Sequence, residues 1–548
     1  MSELKEYIVI LNDRDDLDDF YDDMETPGGS LYIPQRAVDL AYRRPMSRST
    51  HYWLTDEEAD QIRQDPRVME VHQTYQDLGA RVTPLDTQTS SNWNKSGTNN
   101  ANDVNWFLLR GYERINGRSN WGSDGTLSQT GTVTLTNIGR NVDVVIFDGH
   151  LVAGHPEFAV NPDGTGGSRV VQFNWFQYNP QVRGISSGTY VYDFIGNTAD
   201  INHGNNVGAI AAGSTCGWAR GANIYNYWAY SGSANSYANY LYDVFNYIRV
   251  WHNAKTINPA TNVKNPTIVN MSVGLSTSVD LTGATQIIYQ GVTYNKPGGG
   301  WTSTDRANFG LVAGASPVAQ FYIRDGSIEQ DLFDCYRDGI ILCGAAGNLY
   351  MYNDRIGGTN YDNRIIASGT YYYARGNAFA AGTGTINVSA IDATVVEQKV
   401  NFSNAGPRTD IFSAGTNIMG AYYSGGVTDP RNVSYQKGKM SGTSQATPQV
   451  TGLLACALET YPNLKPDEAL NYIQTYGGQN QLTGGGAFST TYGSTDYLSY
   501  NKLYGGPNYY AAYKQERPEQ DQSFPKKDFR FRPTTGRLYP RPKLRRAG

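Results

Sequence analysis

Long apolar runs are missing from this 548-residue chain. No stretch of ~18 consecutive apolar residues occurs, so no membrane-spanning helix and no membrane partner are expected. Cysteine is scarce, with Cys216, Cys335, Cys343 and Cys456 the only four. None forms a Cys-x-x-Cys pair, which speaks against a zinc or redox site, and so few in such a length make no disulfide scaffold. Buried thiols acting as small hydrophobes are expected, with a single bridge as the alternative. Charge is sparse as well: 17% of residues, net −5, which makes no case for the whole chain binding nucleic acid. Met1 to Glu6 lacks a basic segment followed by an apolar one, so an ordinary secretory leader is not expected and the location reads as cytoplasmic or particle-associated. The sequons at Asn94, Asn270, Asn387, Asn401 and Asn432 would then be idle.

What is present is a glycine-rich, loop-rich composition in three zones, with 60 glycines. Residues 1–83 open with the apolar run Tyr7 to Leu11, then an acidic stretch from Asp13 to Glu25. Thr50 to Leu54 alternates as a strand does. Thr55-Asp56-Glu57-Glu58 reads as a helix N-cap with an acidic first turn, and the helix should end near Asp65-Pro66. A strand from Val68 to Val71 completes a small α+β unit. Residues 84–104, polar from Asp86 to Asn102, read as an exposed linker. Residues 105–512 hold apolar runs bounded by turn residues: Val142 to Phe147, Ile224 to Trp228, Pro266 to Val273, Gly339 to Cys343 and Ile386 to Ile391. These are expected to be buried parallel strands, giving an α/β fold with a mostly parallel twisted sheet and helices on both faces. Residues 513–548 form a tail that carries nine Lys and Arg from Phe524 onward against one acid, Asp528, and several prolines. It should be extended, with an acidic partner, nucleic acid held electrostatically and a merely solvated tail as the alternatives.

Four segments carry candidate chemistry. Ser444 sits in Met440-Ser441-Gly442-Thr443-Ser444-Gln445-Ala446-Thr447-Pro448, ahead of an apolar helical segment. A serine at a buried helix N-terminus has free N–H groups and a positive dipole end beside it, which suit an oxyanion; a simple N-cap is the alternative. His203 is followed by small residues through Gly213, which let a helix pack closely beneath a site, and a histidine can take a proton near neutral pH. Asp148 follows Val144-Val145-Ile146-Phe147 at a strand's carboxyl end, where α/β sheets gather their catalytic groups. Asp143, at the other end of that run, is the competing carboxylate. Asn348 ends the run Gly339 to Gly347 and could present an N–H₂ to developing negative charge.

These segments, SGTSQATPQVTG, Asn202 to Gly213, and Val144 to Gly149 with His155-Pro156-Glu157-Phe158, resemble the motifs of the subtilisin-like serine proteases. Gly217 to Ile224, Val269 to Gly274 and Asn401 to Pro407 resemble intervening blocks of the same family. The likeness spans about Asn105 to Tyr476. It implies a subtilisin-like fold and a serine endopeptidase acting on polypeptide substrates, with Asp148, His203 and Ser444 as the triad and Asn348 as oxyanion donor. Substrate would add as a strand beside Ser272, Val273 and Gly274, with Ala345, Ala346 and Gly347 along its path. No cofactor is required. Calcium is common in the family, but no ligand set can be mapped and no metal residue is assigned. Residues 1–83, through His51 to Val71, are similar to the family's inhibitory prodomain, which would be cut off between about Thr83 and Asn102.

The chain departs from the family pattern where Asp148 is followed by Gly149-His150, where Asn205-Asn206 replaces Thr-His, and where Gln445 replaces methionine. His150 could perturb Asp148. An insert at about residues 275–329 follows the substrate-pairing strand and should narrow access to the cleft or dock a partner. Gly184-Ile185-Ser186-Ser187-Gly188 matches the nucleophile-elbow pattern of lipases and esterases but lacks its strand and helix. The rival reading is a catalytically silent subtilase fold in a structural or assembly role, such as the virion part of a phage-encoded member.

Overall fold

The computed structural model describes residues 4–33, 40–42, 46–74, 81–84, 87–88, 106–113, 133, 135–190, 192, 197–229, 241–392, 399–479, 482 and 509–510. The basic tail, residues 513–548, lies outside the described residues, and so does most of the 84–104 segment.

The sheet at the centre has nine strands. From one edge these are Val170–Val171, Asn223–Trp228, Asp143–Asp148, Thr267–Met271, Ile341–Ala345, Thr385–Ile391 and Ile411–Ala414, then the short Tyr509–Tyr510 and Gly478–Gln479. All neighbours pair in parallel except the last two. The five apolar runs picked out in the sequence are all in this sheet. They are unbroken because both faces are covered. Val144 and Ile146 pack with Val207, Ile210, Val450 and Leu454 of helices Thr198–Ala212 and Thr443–Thr460. Val145 and Phe147 point the other way, toward Phe245, Ile248, Ile328 and Leu332 of helices Val244–Ala254 and Gly326–Arg337. The four cysteines are free and buried, so the small-hydrophobe reading holds and the bridge does not.

Residues 4–74 form a four-stranded antiparallel sheet, in which Lys5–Leu11 lies between Ser49–Leu54 and Val68–Gln73. Thr55 caps the helix Asp56–Ile62 with Glu58 returning the bond, as the sequence implied. The run Tyr7 to Leu11 is continuously apolar because its two faces have different clients. Tyr7, Val9 and Leu11 meet Phe20, Met24 and Ile62 of the unit's own helices, whereas Ile8 and Ile10 join the core of the large domain. Polar contacts fix the same face to helix Gly326–Arg337. Ser47 donates to Asp331 at 2.9 Å, Arg48 pairs with Asp334 at 2.9 Å, and Ser49 meets Ser327 at 2.8 Å.

The polar stretch after residue 83 does not begin as a linker. Arg81–Pro84 pairs with strand Val273–Asp280, and Thr87–Gln88 pairs with strand Gln436–Ser441. Sequence polarity misleads here because edge pairing uses backbone groups and asks nothing apolar of the side chains. The insert is an ordered excursion: Val273–Asp280 pairs antiparallel with Val318–Tyr322, and the hairpin Gln286–Tyr289 with Val292–Asn295 joins strand Arg364–Ile366.

A buried ionic cluster ties together the three segments that carry the candidate residues. Glu157, in the segment after Asp148, accepts from Lys437 at 2.9 Å, from Arg431, and from the N–H groups of Thr215 and Cys216 just past the helix of His203. Lys437 lies on the strand that leads to Ser444, and Asp429 shares Arg431 at 2.6 Å. Burial pushes the Glu157 carboxyl up, but Lys437, Arg431 and Thr215 outweigh it and hold it well below the usual carboxylate range. Glu157→Gln would leave Asp429 alone to balance Arg431 and Lys437, so we expect a loss of about 3 kcal/mol in urea unfolding at neutral pH. A depressed folded-state pKa gives stability that is full above the ordinary value of 4.5 and is lost as pH falls through the folded value. The gap between wild type and variant should therefore shrink in acid, and a gap that widened there would refute the assignment.

Candidate active site

Three adjacent parallel strands deliver their carboxyl ends to one place. Asp143–Asp148 ends in Asp148, Thr267–Met271 runs into Ser272, and Ile341–Ala345 leads through Ala346 and Gly347 to Asn348. Two helices complete the rim: Thr198–Ala212 carries His203, and Thr443–Thr460 begins one residue before Ser444.

Asp148 and His203 are both fully buried, and Asp148 Oδ1 lies 2.6 Å from His203 Nδ1. The same oxygen accepts the Gly149 N–H at 2.6 Å. Glycine is required on both sides of this junction. A Cβ on Gly149 would overlap the Asp200 carbonyl, and one on Gly204 would overlap the Gly149 carbonyl. The loop after Asp148 thus sits directly on the histidine's helix. Burial pushes the Asp148 carboxyl above its usual range, against the pull of His203 and the Gly149 N–H. A carboxylate so poorly solvated gains most when the imidazole beside it becomes charged. The carbonyl of His150, two residues on, takes an amide hydrogen of Asn205 at 3.4 Å. Asp143, the competing carboxylate, is at the opposite end of the strand and pairs with Lys255 at 2.7 Å.

Ser444 is fully buried and meets Ser272 twice. Its Oγ donates to the Ser272 carbonyl at 2.9 Å, and Ser272 Oγ donates to the Ser444 carbonyl at 2.8 Å. In this arrangement the Ser444 hydroxyl is held at Ser272, the residue just before the cleft strand Val273–Asp280, rather than directed at a base. Two of the three departures from the family pattern meet here: Gln445 Nε2 donates to Asn206 Oδ1 at 3.2 Å. That bond joins the residue after Ser444 to the residue one turn beyond His203, so the two helices adjoin at the site.

Asn348 is fixed from three sides. Its Oδ1 accepts from the N–H and the hydroxyl of Thr443, each at 2.9 Å, and its own N–H donates to the Tyr322 hydroxyl at 3.3 Å. Its Nδ2 is buried and has no hydrogen-bond partner among the described residues. An amide whose oxygen is doubly held while its N–H₂ is left open is poised to receive an anion. Ala345, Ala346 and Gly347 use their backbone groups internally. Asn377 donates to the Ala345 carbonyl at 3.1 Å, Asn353 and Asn404 donate to that of Ala346, and the Gly347 N–H donates to Thr443 Oγ1 at 3.1 Å. Val273 and Gly274 pair with Pro84 and Thr83.

Sequence reasoning missed Tyr322, which lies in the insert and has no motif, and Asn404, whose Oδ1 takes the N–H groups of Leu349 and Met351. Asn404 was readable in the Asn401 to Pro407 block, but not its role. Ser186 of the elbow-like pattern is exposed on a loop after the short helix Asn179–Arg183, with no strand before it. Among the described residues no group of three or more His, Cys, Asp or Glu is placed to hold a metal ion. No described helix is long and apolar enough to cross a membrane.

The sequence pattern of the Subtilase family matches residues 139–494. An extracellular serine proteinase of Thermus sp. (strain Rt41A) is 24% identical over 468 residues, covering 84% of this chain and 78% of that protein. A thermostable alkaline protease of Halalkalibacterium halodurans is 32% identical over 151 residues, 27% of this chain and 32% of that one. Among solved structures, fervidolysin from Fervidobacterium pennivorans, a keratinolytic enzyme related to subtilisin, matches at 14% identity and a TM-score of 0.48, covering 92% of this chain and 60% of its own.

Asn348→Asp keeps the acceptor that holds Thr443 and removes the open donor. We expect kcat to fall about 10²–10³-fold with little change in KM, the magnitude that removing one oxyanion-hole donor costs in subtilisin. Steady-state kinetics on a peptide substrate would check it, and a loss confined to KM would assign Asn348 to binding instead.

Proposed function

Because this chain belongs to the subtilase family of serine peptidases, we propose that it cuts peptide bonds through an acyl-enzyme, with Ser444 as nucleophile, His203 as general base and Asp148 orienting the imidazole. The observation that carries this reading is the buried Asp148–His203 pair, seated on a helix that adjoins the one presenting Ser444. For attack, the Ser444 hydroxyl turns from the Ser272 carbonyl toward His203, which takes its proton as Oγ bonds to the substrate carbonyl carbon. Negative charge moves to the carbonyl oxygen, where the Asn348 N–H₂ stabilises it. His203 then returns the proton to the leaving amine, and water repeats the sequence on the ester.

The unit at residues 4–74 acts, in this reading, as the enzyme's own inhibitor. Its exit segment lies where substrate would: Pro84, Thr83, Val82 and Arg81 pair with Val273, Gly274, Leu275 and Ser276. Thr87 and Gln88 then pair with Ser441 and Met440, on the strand leading to Ser444. Only Leu85 and Asp86, which lie outside the described residues, join the two pairings. The first register runs toward Ser272, whose carbonyl holds the Ser444 hydroxyl, so the expected cut follows Leu85.

Mass spectrometry of the purified full chain should find wild type cut between Leu85 and Asp86 and Ser444→Ala intact, with a fluorophosphonate labelling only the former. A wild type that stays whole and unlabelled would leave the silent-fold reading standing. The pH profile gives a separate check. kcat/KM should fall in acid as His203 takes up a proton, because a protonated imidazole accepts nothing. A profile flat from about pH 5 to 8 would remove His203 as the base.

A further inference from the structure

The loop that carries the open amide has a backbone shape that must be held from outside. Gly347 and Tyr350, on either side of Asn348 and Leu349, have φ of +113° and +59°. The first is natural to glycine. The second is left-handed backbone in a residue with a bulky side chain, which persists only where the surroundings over-determine it.

Asn404 supplies most of the hold. It is fully buried and bonds to four residues of the loop. Its N–H donates to the Gly347 carbonyl at 2.7 Å, and its Nδ2 donates to the Ala346 carbonyl at 3.1 Å. Its Oδ1 accepts the N–H groups of Leu349 at 3.0 Å and Met351 at 2.8 Å. These bonds bracket Asn348 and leave its side-chain amide alone. Phe402, two residues before Asn404, accepts the Tyr350 N–H at 3.0 Å. The segment around Asn404 is itself anchored. The Lys399 ammonium, buried, donates to the carbonyls of Val400, Asn401 and Ser403 at 2.8–3.3 Å. The Asn404 carbonyl takes the hydroxyl of Ser389, on strand Thr385–Ile391, at 2.8 Å.

Tyr322 closes the other side. Its hydroxyl accepts the Asn348 N–H at 3.3 Å, and its ring clusters with Ala345 and Leu349. A Cβ on Gly347 would come within 2.4 Å of the Tyr322 ring and 2.6 Å of Asn404 Nδ2, so the glycine is gripped between the two side chains. Tyr322 is delivered by a fixed frame. Arg306, buried in the insert, donates to the carbonyls of Leu311, Ala313, Gly314 and Val318 at 2.8–3.1 Å, and strand Val318–Tyr322 is paired along the cleft strand.

We propose that Asn404 and Tyr322 are positioning residues, which clasp residues 346–351 so that Asn348 Nδ2 is already in place when the oxyanion forms. This rests on the peptidase reading, in which Asn348 carries that donor. Both residues act through Asn348. A donor stabilises developing charge only if it needs no reorganisation at the moment of reaction, and a loop that relaxes from its left-handed turns carries the amide away from that place. Tyr322 comes from the insert, so a segment outside every family motif takes part in setting the rate.

A double-mutant cycle tests the clasp. Asn404→Ala removes three side-chain bonds and keeps the backbone one, and Tyr322→Phe keeps the ring and removes the acceptor. Each is measured on a peptide substrate, alone and combined with Asn348→Asp, with thermal melts to confirm folding. Alone, Asn404→Ala should lower kcat about 10-fold or more and Tyr322→Phe about 3-fold, with KM within about 2-fold of wild type. Combined with Asn348→Asp, each should cost less than about 2-fold further, because the donor they serve is gone. A role in stability alone would give the same fold-loss in both backgrounds and would overturn the proposal. Wild-type kcat in the single variants, or losses confined to KM, would overturn it too. Should Asn404→Ala fail to fold, Asn404→Asp takes its place in the cycle, since it keeps the acceptor for Leu349 and Met351 and loses the donor to Ala346. A wild type that cleaves no peptide and takes no fluorophosphonate would instead sink the peptidase reading, and the clasp's role with it.

Discussion

The contact between Asp148 and His203 is made without water, at 2.6 Å, between two fully buried side chains. A carboxylate in such a place is tolerated only if its partners are fixed. The surrounding structure is organised to fix them. The strand of Asp148 is locked between two parallel neighbours, and its following loop is pressed onto the histidine's helix where only glycine fits at residues 149 and 204. Beyond that junction, side-chain bonds place the neighbouring groups: Gln445 to Asn206, Thr443 to Asn348, Ser444 to Ser272. The Glu157 cluster ties the same three segments from beneath.

The same cleft strand serves two neighbours. One edge holds the insert's strand Val318–Tyr322, and the other holds Arg81–Pro84 of the chain's own N-terminal region. An extended peptide at such an edge is recognised mainly through its backbone, so the edge asks little of the side chains of the segment it holds. The N-terminal unit adds Ile8 and Ile10, the Arg48–Asp334 pair and two serine contacts to that backbone pairing. It reaches the cleft strand already anchored elsewhere, and the local concentration of its exit segment is correspondingly high.

Much of this was readable in the residues. The five apolar runs became five central strands because a buried parallel strand needs apolar side chains on both faces, and Asp148 and Asn348 were found where such runs stop. Thr55 capped the helix it was assigned. Other features were out of reach. Asn206 and Gln445 each looked like a separate departure from the family pattern, and only their 3.2 Å contact makes them a pair. Thr87 and Gln88 looked like linker, because a strand held by backbone bonds alone leaves no pattern in its side chains. Tyr322 and Arg306 act on loops near and far in sequence through single side chains, which no periodicity announces.

The order of Asp148, His203 and Ser444, the parallel α/β sheet and the buried, unbridged thiols follow from residue types and their local spacing, because burial and helix or strand periodicity are local demands on sequence. The tertiary structure alone decided which surfaces meet. It brought the insert's Tyr322 against Asn348, laid Arg81–Pro84 along the cleft strand, and gathered Glu157, Arg431 and Lys437 into one cluster. These depend on contacts between residues far apart in the chain, and the geometry of such contacts is a property of the packed molecule.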